Sequence, residues 1–174
     1  RSERELIQMI NFFKTKKNCL PTKHGFMMVE ILVSISIITA SILVAMAVAQ
    51  KSVYIARQAF HASQAAFLLE EGAEAARIAR DNAWNNISSL TAGANYYLTF
   101  SGGTWILSST ANTVGIFTRS VTIANVNRDN ATKDISAAGA DDPETKLVAV
   151  TVSWEEGGAT ITKTLKFYLM NIFS

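Results

Sequence analysis

The clearest hydrophobic pattern in the chain is a run of nineteen residues without a charge, ILVSISIITASILVAMAVA, at positions 31–49. As an α-helix this run rises about 28 Å, roughly the hydrocarbon thickness of a bilayer. Lysines precede the run, and positively charged flanks stay on the cytoplasmic side of a membrane. The pattern therefore predicts one membrane-spanning helix, with the preceding segment in the cytoplasm.

The helical pattern continues beyond this run. Between Gln50 and Arg80 there is no proline and one glycine, Gly72, whereas alanine, the best helix former, is abundant. Apolar residues recur at steps of three and four and predict one buried helix face: Ala56, Ala59, Ala62, Ala66, Leu69, Ala73 and Ala76. We expect a single helix from Phe26 to Arg80, about 80 Å long. Such a helix is longer than a small domain needs, so its first half must be buried in something else.

The second half of the chain changes to a period of two residues. Five segments rich in β-branched and aromatic residues predict strands at 96–100, 104–108, 116–124, 147–155 and 160–169. Gly102-Gly103 and Gly157-Gly158 are expected to form hairpin turns. Residues 125–146 are rich in Asn, Asp, Ala and Gly and predict a long surface loop. The expected fold class is α+β, with a long N-terminal helix packed on a four- to five-stranded antiparallel sheet.

Alternation along two predicted strands indicates which sheet face is buried. In one strand the apolar positions are Val148, Val150, Val152 and Trp154, and the residues between them are small or polar. In the other strand the apolar positions are Phe117, Val121 and Ile123. Arg119 interrupts that second set, which places a charged residue among the predicted core positions.

The net charge of +2 conceals an asymmetry along the chain. Residues 1–25 contain six basic and two acidic side chains, a net charge of +4, and residues 26–174 contain ten basic and twelve acidic ones, a net charge of −2. The downstream part therefore has no charge signal for nucleic acid. Arg119 and Arg128 are too few to form a basic patch.

The chemistry-bearing residues do not form a recognisable catalytic or metal motif. Cys19 is the only cysteine and lies in the basic segment, so no intramolecular disulfide can form, and the two histidines, His24 and His61, are far apart. We expect no catalytic residues, no cofactor and no metal, and hence no enzyme. Oxygen-bearing side chains in the predicted loop match no calcium-binding motif and favour a solvated acidic loop: Asp129, Asn130, Asp134, Asp141 and Asp142.

The start of the long helix reads Lys23-His24-Gly25-Phe26-Met27-Met28-Val29-Glu30 and leads directly into the apolar run. This motif resembles the prepilin processing site of type IV pilins and type II secretion pseudopilins. In that family a membrane aspartic peptidase cuts after the glycine, and the new N-terminal residue is N-methylated. The resemblance implies a cut between Gly25 and Phe26, methylation of Phe26, and an assembly role for Glu30, the fifth residue after the cut.

The resemblance also implies a division of the chain into four parts. These are a leader at 1–25, the transmembrane or filament-core half of the helix at 26–50, the second half of the helix with the start of a loop at 51–90, and an antiparallel β-sheet globular part at 91–174. The first residue is arginine, and we expect translation to start at Met9.

The function implied by the resemblance is structural, as a subunit of a type IV pilus-like filament. Its implied partners are identical or different pilin subunits, a prepilin peptidase and methylase, an inner-membrane assembly platform, and membrane lipid before assembly. The implied location is the inner (cytoplasmic) membrane, crossed once with the leader in the cytoplasm. After assembly the subunit would belong to an extracellular or periplasmic filament.

The cost of placing a charge in hydrocarbon relates the expected role of Glu30 to the cut. A carboxylate in hydrocarbon is costly by several kcal/mol unless it has a partner. Cleavage after Gly25 frees the α-amine of Phe26, a cation that does not exist in the uncut chain. In a filament, the amine of one subunit can pair with Glu30 of its neighbour and fix their axial register.

The chain departs from the family in two places. Many major pilins have a helix-kinking proline where this chain has Ala47, so we expect a straighter helix. Many also close a C-terminal loop with a disulfide, which is impossible here once the leader with Cys19 is removed. These departures leave the pilin subtype open.

Three alternatives remain beside a pilus subunit. One is a pseudopilin of a type II secretion system, which is built in the same way. Another is a membrane-anchored extracytoplasmic binding domain that never polymerises. The third is an ordinary signal peptide, since Ala47-Val48-Ala49 has the small-x-small form of a signal peptidase site.

Two groups of side chains have open interpretations. Four hydroxyl residues either line a contact between helices or bond back to carbonyls of their own helix: Ser34, Ser36, Thr39 and Ser41. Phe60 and Phe67, seven residues apart, are interpreted as core or subunit contacts rather than as a ligand site.

Overall fold

The computed structural model describes residues 24–173 of the chain. The predicted leader lies outside the described residues except for His24 and Gly25, so Met9 and Cys19 are also outside them. The described backbone contains two helices and six strands, and the chain divides into two compact units between Ser52 and Val53.

Helix α1 extends without interruption from His24 to Asn82, 59 residues in all, which confirms the predicted long helix. The absence of proline and the abundance of alanine over this range explain its continuity. At its C-terminal end the side-chain amide of Asn86 donates from Nδ2 to the carbonyl of Ala79 at 3.0 Å, which satisfies one of the carbonyls that a helix end leaves open. Asn86 belongs to a short second helix, α2, at Asn85–Ser88.

A six-stranded antiparallel sheet follows the helices. Its strands are β1 Asn95–Ser101, β2 Thr104–Ser108, β3 Thr113–Val114, β4 Phe117–Arg128, β5 Ala140–Glu156 and β6 Ala159–Met170. Their order is β2-β1-β4-β5-β6, and β3 pairs with β4 beside this path. The α+β fold class is therefore confirmed. The sixth strand was not predicted because β3 has two residues, too few to show a period.

The predicted loop at 125–146 is wrong at both of its ends. Strand β4 continues to Arg128 and β5 already begins at Ala140, so the connection covers only 129–139. A shift in register between Asn125 and Val126 brings Arg128 opposite Ala140. The polar composition hid these strand ends because their ladder is supported by cross-strand polar pairs, such as Arg128 Nε to Asp142 Oδ2 at 2.5 Å, rather than by apolar alternation.

The core of the unit Val53–Ser174 lies between α1 and the inner face of the sheet. Its buried strand positions include those predicted by alternation, with Val148, Val150 and Val152 at 0% exposure. On α1 the buried alanines are Ala65, Ala73, Ala75, Ala76 and Ala79.

The predicted helix face is only partly right. Ala73 and Ala76 are buried as expected, but four other predicted positions are exposed: Ala56, Ala59, Ala62 and Ala66. Alanine suits an exposed helix as well as a buried one, so its spacing reflects helix propensity as much as burial. Leu69, also on the predicted face, is partly buried against both core clusters, and its neighbour Leu68 is packed against one of them.

Gly72 lies where α1 is packed tightly against the sheet. A Cβ atom added there would be 2.6 Å from Val150 Cγ1 and 3.3 Å from Arg119 Cδ. Glycine within a helix usually costs stability, about 0.5–1 kcal/mol relative to alanine. Here the cost is tolerated because a side chain at position 72 would overlap with β5.

Replacing Gly72 by alanine tests this close approach. We expect Gly72→Ala to lower the free energy of unfolding by about 1–3 kcal/mol, because overpacking outweighs the gain in helix propensity. Urea denaturation of the detergent-solubilised chain, followed by tryptophan fluorescence, measures the change. Val150→Ala in the same chain removes the clashing methyl groups, so the double variant should lose less than the two single losses combined. An increase in stability for Gly72→Ala alone would contradict the close packing.

Candidate functional site

The three predicted site residues lie near the start of α1. Gly25 and Phe26 belong to its first turn, and Glu30 follows about one turn later. The Glu30 side chain is exposed and forms no ion pair with any residue that the structure describes.

The segment that follows Phe26 has an unusually large exposed apolar surface. Fourteen large apolar side chains between Met27 and Val48 are 52% to 74% exposed. Burying each would contribute about 1.5–3 kcal/mol, so together they represent tens of kcal/mol. Whole domains are stable by only about 5–15 kcal/mol, and an exposed apolar surface of this size is typical of a segment that contacts lipid or other protein.

Among the described residues, one helix is long and apolar enough to cross a membrane. It is Met27–Asn82, whose most apolar window has a mean hydropathy of 2.6 and is not buried by the rest of the chain. Length and composition are thus compatible with a protein that crosses a membrane once.

Most hydroxyl groups of the apolar segment are satisfied within the helix. Ser36 donates to the carbonyl of Leu32 at 2.7 Å, and Thr39 and Ser41 donate to the carbonyls four residues before them at 2.8 Å. These bonds favour the interpretation in which the hydroxyls bond back to their own helix. Among the polar side chains of residues 27–49, Glu30 and Ser34 have no side-chain hydrogen bond to any residue that the structure describes.

Arg119, the charged residue among the predicted core positions, is 3% exposed and ties β4 to α1. Its guanidinium donates to Glu71 Oε2 at 2.7 Å and to the carbonyl of Leu68 at 3.4 Å, and lies 5.5 Å from the centre of the Trp105 ring. The charge is thus neutralised and hydrogen-bonded where it is buried. Arg119 is not available to bind nucleic acid.

Arg128 is likewise occupied within the fold. Besides its bond to Asp142, it donates to Thr145 Oγ1 at 3.0 Å and to the carbonyl of Lys133 at 3.0 Å. The Arg128 guanidinium, with a further hydrogen bond from Thr145, holds the pKa of Asp142 below its usual value. This arginine therefore closes the base of the β4–β5 connection.

The acidic residues of this connection use their oxygens locally. Asp129 Oδ1 accepts hydrogen bonds from the backbone amides of Ala131 and Thr132, at 2.8 and 2.9 Å, and these bonds lower the pKa of Asp129. In the part of the chain that the structure describes, no group of three or more His, Cys, Asp or Glu side chains is arranged to hold a metal ion.

A second long-range polar contact was not predicted from the sequence. His61 Nδ1 on α1 lies 3.3 Å from Glu156 Oε2 at the end of β5, and Trp154 Nε1 donates to the same oxygen at 3.0 Å. The other oxygen, Oε1, is buried and has no hydrogen-bond partner among the residues that the structure describes. The bond from Trp154 is the largest cause that holds the pKa of Glu156 below its usual value. His61 and Glu156 are 95 positions apart, so no local sequence pattern indicates their contact.

No protein-family model, no curated protein and no solved structure matches this chain.

The ion pair of Arg119 predicts an asymmetry between two adjacent glutamates. Glu71→Ala leaves a buried guanidinium without its counter-charge and should cost about 1–2 kcal/mol of unfolding free energy, since Glu71 itself is half-exposed. Glu70→Ala, at the neighbouring exposed position, is the matched control and should change stability by less than about 0.5 kcal/mol. Chemical denaturation compares them, and equal effects would show that the Arg119 pair contributes nothing.

The lowered pKa of Glu156 predicts a stability that depends on pH. A carboxyl whose pKa is depressed in the folded state contributes stability above its unfolded value, near 4.5, and this is lost as the pH falls through the folded pKa. The thermal unfolding temperature of the native chain should therefore fall more steeply below about pH 4.5 than that of Glu156→Gln. Parallel curves from pH 6 to pH 3 would contradict this coupling.

Proposed function

We propose that this chain is a subunit of a type IV pilus-like filament. It is made as a membrane-anchored precursor, cut between Gly25 and Phe26, N-methylated at Phe26 and assembled through its apolar N-terminal helix. The observation that carries the proposal is the unburied apolar surface between Met27 and Val48, interrupted by one charge, Glu30.

Two surroundings can cover this surface, and the proposal uses them in succession. Lipid covers it in the precursor, and the equivalent helices of neighbouring subunits cover it in the filament. Both surroundings are apolar, and the internally bonded hydroxyls of Ser36, Thr39 and Ser41 suit both. A plain membrane anchor would use only the first surrounding.

Glu30 supports the step from one surrounding to the other. An anchor gains nothing from a carboxylate beside its hydrocarbon segment, because desolvating the charge is costly. In a filament the α-amine of Phe26 from a neighbouring subunit supplies the opposite charge. Since that amine exists only after the cut, processing and assembly are linked by one ion pair.

The helix also bears on the competing cut after Ala49. The bond between Ala49 and Gln50 lies deep inside α1, whose hydrogen bonds continue on both sides of it. A peptidase acting there would have to open the interior of a helix, whereas the Gly25–Phe26 bond lies in the first described turn of α1. Gly25 lacks a side chain that hinders access to the backbone and weakens the helix locally, which favours the proposed position of the cut.

Processing is tested by co-expressing the chain with a prepilin peptidase and sequencing the N-terminus of the product. We expect it to begin at methylated Phe26. Gly25→Leu should reduce cutting at least tenfold, whereas Gly25→Ala, which adds one small group, should retain most of it. A product that begins at Gln50 would favour a signal peptide, and an uncut native chain would favour a permanent anchor.

Assembly is tested separately with Glu30. Glu30→Ala and the isosteric Glu30→Gln should both be cut normally, because the change lies beyond the scissile bond, but should yield at least tenfold fewer filaments by electron microscopy. The matched control is Ser34→Ala, which removes a polar group one turn later and keeps the charge. Normal filament numbers with alanine at position 30 would contradict the role of Glu30.

A further inference from the structure

An open groove lies in the unit Val53–Ser174, between α1 and the β3–β4 hairpin. Its volume is about 620 Å³. Phe67 lines it from the helix and Ile116 from the hairpin, and both are more than half exposed, at 68% and 54%. Its polar lining residues are His61, Gln64 and Glu71, of which Glu71 is paired with Arg119 and His61 with Glu156. This apolar groove therefore offers an occupant mainly hydrophobic contact.

A second apolar surface lies at the end of β6. In the segment Met170–Phe173, here called the apolar tail, Met170, Ile172 and Phe173 are 53%, 57% and 59% exposed. Asn171 fixes the segment: its backbone amide donates to the carbonyl of Glu144 at 2.9 Å, and its side-chain amide donates to Glu144 Oε2 at 2.5 Å. Because its backbone is already ordered, the apolar tail loses little conformational entropy when it binds.

The two surfaces lie at opposite ends of the sheet. Phe117, in the wall of the groove, contacts the Trp154 ring with 5.5 Å between centroids, and Trp154 pairs with Ile161 at the start of β6. The apolar tail begins at Met170, nine residues further along the same strand, or about 30 Å. One copy therefore cannot place its own tail in its own groove.

We propose that the apolar tail of one copy occupies the apolar groove of the next copy. This contact is head-to-tail, and a heterologous contact of this kind repeats along a row of subunits instead of closing a pair. The inference rests on the proposed filament function and names a second contact between subunits, separate from the packing of their N-terminal helices.

The size of the contact favours a second copy over an unrelated partner. The three exposed side chains of the tail offer roughly 300 Å², and the two surfaces together about 600 Å². A specific and stable interface between free proteins buries at least about 1,200 Å². This contact is too small to hold a free partner, but it suffices for a neighbour that another contact already keeps at high effective concentration. Subunits joined through their helices meet that condition.

Cross-linking within assembled filaments tests the contact directly. Gln64→Cys at the groove and Phe173→Cys in the tail are combined in a chain in which Cys19→Ser removes the native thiol. A short bis-maleimide should produce a ladder of dimers, trimers and higher multimers on a denaturing gel. The matched control pairs Gln64→Cys with Thr164→Cys, in the middle of β6, and should give at most one tenth of the product.

A charge introduced into either surface supplies a second measurement. Phe173→Asp and Ile116→Asp should each reduce filament number at least fivefold while the thermal unfolding temperature stays unchanged. Ile135→Asp is the control, since Ile135 is also exposed, at 44%, but belongs to neither surface. It should leave assembly intact.

The outcomes separate this contact from the proposed function. Filaments that form normally with both aspartate variants and give no ladder would overturn the contact and leave the filament function standing. A product limited to dimers would overturn the head-to-tail arrangement in favour of a closed pair. If the native chain forms no filaments after processing, both the proposed function and the contact are rejected.

Discussion

The apolar surface of the N-terminal half of α1 is the constraint on which the rest of the structure depends. Fourteen large side chains between Met27 and Val48 remain exposed, because no other described part of the chain covers them. The hydrophobic free energy at stake exceeds the stability of an ordinary domain. An exposed apolar surface of this size is typical of a segment that contacts lipid or other protein.

In its second half, the same helix meets its neighbours in a different way. From Ala65 to Ala79 its buried face consists largely of small residues, and Gly72 lets β5 approach within contact distance. Close approach brings Arg119 under the helix, where Glu71 neutralises it. The second half of α1 is thus held on the sheet by close packing of small side chains and by one buried ion pair. In the first half, the bulky apolar side chains are exposed.

The features that the sequence predicts correctly are those set by neighbouring residues, and the contacts that it misses join residues far apart in the chain. Continuous helix and alternating strands are encoded by neighbouring residues, so α1 and the inner sheet face were found. The alanine face was misplaced from Ala56 to Ala66 because alanine reports propensity rather than burial. The partners of Arg119 and His61 lie 48 and 95 residues away, so they depend on the tertiary fold. The proposed cut at Gly25 and the role of Glu30 come from a motif, and the fold alone would not indicate them.

The back-bonded hydroxyls have a consequence for how the helix can change surroundings. Ser36, Thr39 and Ser41 each close a hydrogen bond on their own backbone, so none of them depends on the identity of a neighbour. Exchanging one apolar neighbour for another therefore breaks no polar bond of these side chains. In the proposed filament, selectivity between partners along the surface from Met27 to Val48 would therefore depend on shape and on the carboxylate of Glu30.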